Sequence, residues 1–147
     1  MKNIPALIFF CLAALSFTTW QPDFQKAKQQ AREQHRLILL NFSGSDWCGP
    51  CIRMKKEIFE SGEFSAFADS NLVLVNADFP RSKKHELNRE QQKQNEALAE
   101  KYNPSGKFPF TLLLDDEGKI LQSWEGLPDQ DAAAFTNTIK KSMDARR

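Results

Sequence analysis

The chain has 147 residues, 41% of them hydrophobic and 27% charged, with a formal net charge of +1. That length is enough for one domain with its own core, and the balance of residues is ordinary for a globular protein. Near-neutrality leaves no electrostatic footprint for nucleic acid, so none is expected as a partner.

Residues 1–20 open with Lys2, continue with an apolar run from Ile4 to Phe17, and end in small polar residues, Thr18 and Thr19. The run is short for a membrane span and has the layout of a secretory signal peptide. Export is therefore expected, with a single domain over residues 21–147. Ser16-Phe17-Thr18 is a poor small-x-small cleavage site, so an uncleaved anchor is the alternative. Removing the segment takes Lys2 and Cys11 with it. The net charge falls from +1 to 0, and two of the three cysteines remain, Cys48 and Cys51. An exported chain with one vicinal pair and no other cysteine does not use disulfides for stability. The pair points to chemistry.

Asp23 to Arg36 reads as a loosely amphipathic helix, with Pro22 and Asp23 as start signals and Phe24, Ala27 and Ala31 on one side. His35 ends it as a histidine near the dipole. Leu37 to Phe42 is a buried strand, and Ile52 to Glu60 is a helix. Trp47-Cys48-Gly49-Pro50-Cys51 lies at the junction, with Cys48 at the helix N-terminus. Unpaired N–H groups and the dipole there favour a thiolate, the reactive form of cysteine. Two intervening residues let Cys51 turn inward and close a small disulfide with Cys48. Gly49 is expected to permit the tight turn and Pro50 to fit the first helical turn, where its missing N–H costs nothing. Trp47 is expected to shield one side of the pair.

Ser61-Gly62-Glu63 breaks the helix, and Phe64 and Phe67 mark a short second one. Leu72 to Asp78 is an apolar strand, completing a right-handed βαβ unit. Phe79 to Gln94 reads as a polar loop leading into a helix marked by Ala97, Leu98 and Tyr102. Its basic cluster, Arg81, Lys83 and Lys84, is a candidate docking surface. Asp46 and Glu57 read as solvated surface charges and His85 as isolated. Asn103 to Gly106 is a turn, and Phe108 to Leu114 a third strand with Pro109 near its start. Asp115 to Lys119 turns into a fourth strand, Ile120 to Glu125, followed by Gly126. Pro128-Asp129 starts a last helix whose stripe is Phe135, Ile139 and Met143.

The stretch Trp47-Cys48-Gly49-Pro50-Cys51 matches the thioredoxin active-site motif at every position. With Asn41-Phe42-Ser43-Gly44-Ser45-Asp46 before it, the chain resembles the extracytoplasmic thioredoxin-like proteins of bacteria, from Leu37 to the C-terminus. The resemblance implies an α/β thioredoxin fold, a central four-stranded mixed sheet flanked by helices, here with an extra N-terminal helix. It implies Cys48 as nucleophile and Cys51 as resolving cysteine, with no cofactor beyond their redox-active disulfide. Asn41 falls where the family commonly has a buried Asp that moves a proton for the second cysteine. An amide cannot titrate, so that transfer needs water or another group, for which Asp46 and Glu57 are the candidates beside their reading as surface charges. Pro109 matches the family's cis-proline facing the disulfide, Phe108 offers backbone to an extended substrate, and Gly126 matches a glycine near the active-site surface.

Gly-Pro between the cysteines resembles the reducing members. The expectation is a periplasmic reductase of disulfides in exported proteins. It would be fed by a dithiol electron donor such as a membrane thiol transporter. The alternatives are an oxidase or isomerase, or a non-catalytic protein holding Cu(I) on two soft thiolates. No zinc set is expected. A single compact domain without structural disulfides is expected to be a monomer.

Overall fold

Alternation along Leu37–Ser43 (β1) decides the architecture of the computed structural model, which describes residues 19–145. Side chains along a strand point to opposite faces with a period of two. Ile38, Leu40 and Phe42 enter one core; Leu39 enters the other. Leu72–Asp78 (β2) divides the same way: Val73, Val75 and Ala77 against Leu72 and Leu74. A sheet buried on both faces needs a helical layer on each.

The first layer is Phe24–Gln34 (α1) with Arg89–Tyr102 (α4), which contribute Phe24, Ala27, Ala31, Leu98 and Tyr102. The second holds Gly49–Met54 (α2), Gly62–Asn71 (α3) and Ala132–Asp144 (α5), with Met54, Phe64, Ala68, Phe135 and Ile139 facing the sheet. Phe110–Leu114 (β3) and Ile120–Glu125 (β4) complete the sheet in the order β2-β1-β3-β4. β1 and β2 are parallel; β3 runs antiparallel to both β1 and β4. This is the expected four-stranded mixed sheet with an extra N-terminal helix.

Local signals act as caps. Asp23 accepts the amides of Gln25 and Lys26 at the start of α1, and His35 closes it in the left-handed region at φ 53°. Ser61, Asn88 and Asp131 cap α3, α4 and α5.

Several boundaries differ from those read in the sequence. The helix after the cysteines starts at Gly49 rather than Ile52, because Cys48 itself serves as N-cap. It continues through one π-helical turn, Lys55–Phe59, which seats Ile58 and Phe59 in the core. The second helical segment is a full ten-residue helix. α4 begins at Arg89, inside the segment read as loop, and α5 begins at Ala132, after Pro128-Asp129. β3 begins at Phe110, two residues beyond Phe108.

The folded unit reaches back to Trp20, one residue ahead of the boundary read at Gln21. Trp20 bridges to Leu74, and its ring meets Phe59 edge-on at 5.1 Å. The rest of the apolar leader, residues 1–18, lies outside the described residues. No helix among the described residues is long and apolar enough to cross a membrane.

Candidate active site

Cys48 and Cys51 form a disulfide at the head of α2, with Cα atoms 5.2 Å apart. Both are buried. The Cys51 amide donates to Cys48 Sγ at 3.3 Å, so a helix-start N–H points at the first sulfur. Pro50 sits in the first turn, as expected. Gly49 corrects its reading: a Cβ there would meet nothing within 4 Å, and its φ is not positive. The tight turn does not require glycine at that position. Gly44 does carry a steric requirement, since a Cβ on it would fall 2.2 Å from Trp47 Cε2.

Trp47 gathers the site's outer face. Its indole N–H donates to the Phe79 carbonyl at 2.7 Å. Its ring meets Phe108 edge-on at 5.4 Å, and Phe108 meets Phe79 at 5.7 Å. The Arg81 guanidinium carbon lies 3.7 Å from the Trp47 ring centroid. The Phe108–Pro109 peptide bond is cis. The Pro109 carbonyl accepts the Gly126 amide at 2.8 Å, and Gly126 stands at φ +71°, a conformation that favours glycine. A chain of contacts thus runs from Trp47, the neighbour of Cys48, through Phe108 and Pro109 to Gly126. Ile52 adds an exposed apolar side chain beside it.

Asn41 lies elsewhere, beneath α2. It is buried, and its amide group donates to Asn76 Oδ1 at 2.9 Å while its Oδ1 accepts the Thr111 hydroxyl at 3.0 Å. Strand register explains the meeting: Asn41 stands opposite Asn76 on β2 and Thr111 on β3. Ser43 and Asp78 form the next pair along. A cavity of about 420 Å³ has Asn41, Ser43, Asn76, Asp78 and Cys51 in its wall.

Asp46 and His85 correct their readings. Asp46 is not a solvated charge; its side chain is 10% exposed and accepts the Arg81 amide at 2.9 Å and the Ser82 amide at 2.8 Å. These two N–H groups, aided by the His85 ring at 3.2 Å, hold its carboxyl below the usual aspartate value. His85 is therefore partnered. Glu57 is an exposed surface charge, paired with Arg53 at 3.0 Å. Among the described residues no group of three or more His, Cys, Asp or Glu is placed to hold a metal ion.

Sequence reasoning missed Gly44, Ser43, Asn76, Asp78 and Thr111, and read Arg81 only as part of a docking surface. The signal for four of them was present. Polar residues at 41 and 43, at 76 and 78, and at 111 interrupt otherwise apolar strands at same-face spacing. What was lacking was the register that puts the three strands side by side.

A family model described as thioredoxin-like matches residues 19–115. The disulfide bond reductase DsbH of Chlamydia pneumoniae is 35% identical over 127 residues, covering 86% of this chain and 74% of that protein. The thioredoxin-related protein DsbJ of the same organism is 36% identical over 98 residues, 67% of this chain but only 27% of the relative. A solved structure of DsbH oxidoreductase superposes with a TM-score of 0.80 at 31% identity, covering 97% of this chain and 95% of the other. A mixed sheet carrying Trp-Cys-Gly-Pro-Cys at a helix start, with relatives of this kind, defines a thiol:disulfide oxidoreductase. The chain belongs to the thioredoxin-like family.

Proposed function

We propose that the protein is a periplasmic reductase of disulfides in exported proteins, working as a monomer through a Cys48/Cys51 cycle. The observation that carries this reading is the Cys51 N–H aimed at Cys48 Sγ at the start of α2. A donor so placed would stabilise a Cys48 thiolate, which supports Cys48 as the nucleophile. A relative bearing the name disulfide bond reductase supports the direction.

The Cys48 thiolate attacks one sulfur of the substrate disulfide, and the other sulfur leaves with the electron pair. Cys51 then attacks Cys48 Sγ, the mixed disulfide breaks, and the second substrate sulfur leaves as a thiolate. Trp47 shields the pair, while Phe108 and Pro109, backed by Gly126, present backbone to an extended substrate segment. Electrons return from a dithiol protein, such as a membrane thiol transporter. The apolar segment ahead of Trp20 directs the chain out of the cytoplasm.

The test is the reduction potential of Cys48–Cys51, measured by equilibrating the protein in thiol/disulfide buffers and trapping free thiols. A value at or below about −250 mV is expected; one above about −180 mV would move the protein to oxidase or isomerase. Failure of the pair to cycle would overturn the catalytic reading and bring Cu(I) binding forward, which titration of the reduced protein with Cu(I) would then examine. Cys51→Ser is expected to accumulate a mixed disulfide on Cys48, and Cys48→Ser to form none.

A further inference from the structure

We propose that Arg81 is a specificity residue of this site, selecting substrate disulfides that carry Asp or Glu within about three residues of the cysteine that Cys48 attacks. This inference rests on the Cys48/Cys51 cycle above.

Arg81 is exposed in the loop after β2, yet its charge is held in one place. The Asp46 carboxylate accepts the Arg81 amide at 2.9 Å and the Ser82 amide at 2.8 Å, and the His85 ring meets the same carboxylate at 3.2 Å. The Phe79 amide donates to the Ser43 carbonyl at 2.9 Å, and the Phe79 carbonyl accepts the Trp47 indole N–H at 2.7 Å. These bonds hold the loop's backbone on both sides of Pro80. They set the Arg81 guanidinium carbon 3.7 Å from the Trp47 ring centroid. A planar guanidinium stacked in this way keeps its N–H groups at its edge, where two of them match the two oxygens of a carboxylate. A donor that is already ordered loses little further entropy on binding.

The charge is also unpaired. Among the described residues Arg81 takes part in no ion pair, and neither do Lys83 and Lys84. Asp46, the carboxylate bound to the loop, is turned to the two backbone amides and His85. Glu57 of the π-helical turn is taken by Arg53, and Glu125 at the end of β4 by Lys107. Asp78, Glu86 and Glu96 line a cavity of about 370 Å³ together with Arg81 and Lys83, without pairing with either. Those carboxylates repel an acidic side chain from the cavity, so it is read on the Trp47 side of the loop.

Trp47 directly precedes Cys48, and its ring meets Phe108, the residue ahead of cis-Pro109. A substrate laid along Phe108 and Pro109 with its sulfur at Cys48 advances about 3.3 Å per residue. Side chains one to three positions from its cysteine then cross the wall made by Trp47 and Phe108, on which Arg81 is the stacked cation. A charge at such a rim chooses between partners more than it adds affinity. The whole chain carries a formal net charge of only +1, so long-range attraction is weak and the preference is local to Arg81.

The test uses the full chain and three peptides with an internal disulfide, alike except that the residues flanking one cysteine are Asp, Ser or Lys. kcat/KM is measured for each at low ionic strength. Wild type is expected to favour the Asp peptide over the Lys peptide by at least about fivefold, and salt near 1 M to remove most of the difference. Arg81→Gln is expected to bring the ratio within about twofold of unity, and Arg81→Glu to reverse it. Lys84→Ala should keep most of the wild-type ratio. Each ratio is taken within one variant, so any loss of folded or active protein cancels. Equal rates for the Asp and Lys peptides in wild type, or a ratio unchanged in Arg81→Gln, would overturn the proposal. An equal loss in Lys84→Ala would also overturn it, by assigning the preference to the loop's charge as a whole. Should the reduction potential move the protein to oxidase, the same peptides are presented as dithiols to the oxidised protein, and the ratio decides the proposal in the same way. The direction of the cycle and the role of Arg81 therefore fail separately. A cysteine pair that reacts with none of the peptides in either form would overturn both.

Discussion

Arg81 covers Trp47. Its guanidinium carbon lies 3.7 Å from the indole centroid, although Arg81 belongs to an exposed loop after β2 and Trp47 immediately precedes the reactive cysteines. A cation over an indole contributes about 0.5 to 2 kcal/mol, depending on how much water it loses. Arg81→Ala is therefore expected to cost about 1 kcal/mol, a fall of roughly 3 °C in melting temperature for a domain of this size. The Trp47 indole N–H resonance should shift at the same time. Arg81→Lys should recover less than half of the loss, since an ammonium cannot reproduce the planar stack. An unmoved resonance together with an unmoved melting temperature would show that the contact is not made in solution.

Asp46 pins the same loop from below, through the amides of Arg81 and Ser82. Folding lowers its pKa, first through the Arg81 N–H, then through Ser82, with His85 adding to both. The group's contribution is therefore complete above its unfolded value of 3.8 and is lost as pH falls through the lower, folded value. Hydrogen exchange, corrected for intrinsic rates, should show the Arg81 and Ser82 amides protected at neutral pH and released only in acid below the unfolded value of 3.8. Asp46→Asn keeps one acceptor oxygen of the two, so one of these amides should lose protection even at pH 7. Protection that persists through the acid range would mean that something other than the carboxylate holds the loop.

Two glycines near the cysteines should respond in opposite ways. Gly44→Ala drives a methyl to within 2.2 Å of the Trp47 ring, and overpacking of this kind costs about 1 to 3 kcal/mol. Gly49→Ala meets nothing within 4 Å and sits at the start of α2. It should leave the unfolding free energy from urea titration within about 0.5 kcal/mol of wild type. Equal effects from the two substitutions would contradict the packing around Trp47.

Trp20 anchors the N-terminal edge. It bridges to Leu74, stacks edge-on against Phe59, and lines the cavity that holds Cys51. Complete loss of a buried Trp costs about 3 to 5 kcal/mol; this one is half-buried, so Trp20→Ala should cost about 2 kcal/mol. A chain beginning at Gln21 should melt below one beginning at Thr19. Identical melting curves would place Trp20 outside the stabilising core.

Four strands, the reactive pair and the proline ahead of β3 were legible in the sequence because each leaves a local mark. Apolar runs at Leu37 and Leu72, the Trp47–Cys51 motif and Phe108-Pro109 are each read within a few residues. Helix starts were less legible. Cys48, Asn88 and Asp131 act as caps by accepting the amide three residues further on, and no apolar stripe marks those positions.

What the sequence alone determined was the fold class and the Cys48/Cys51 chemistry. The tertiary structure alone decided what surrounds that pair. Asn41 meets a residue 35 positions later and another 70 positions later, Asp46 caps amides 35 and 36 positions away, and Arg81 reaches back to Trp47. These meetings depend on strand register and on the path of a polar loop. Both are set by the packing of two cores at once, and no periodicity within one segment records either.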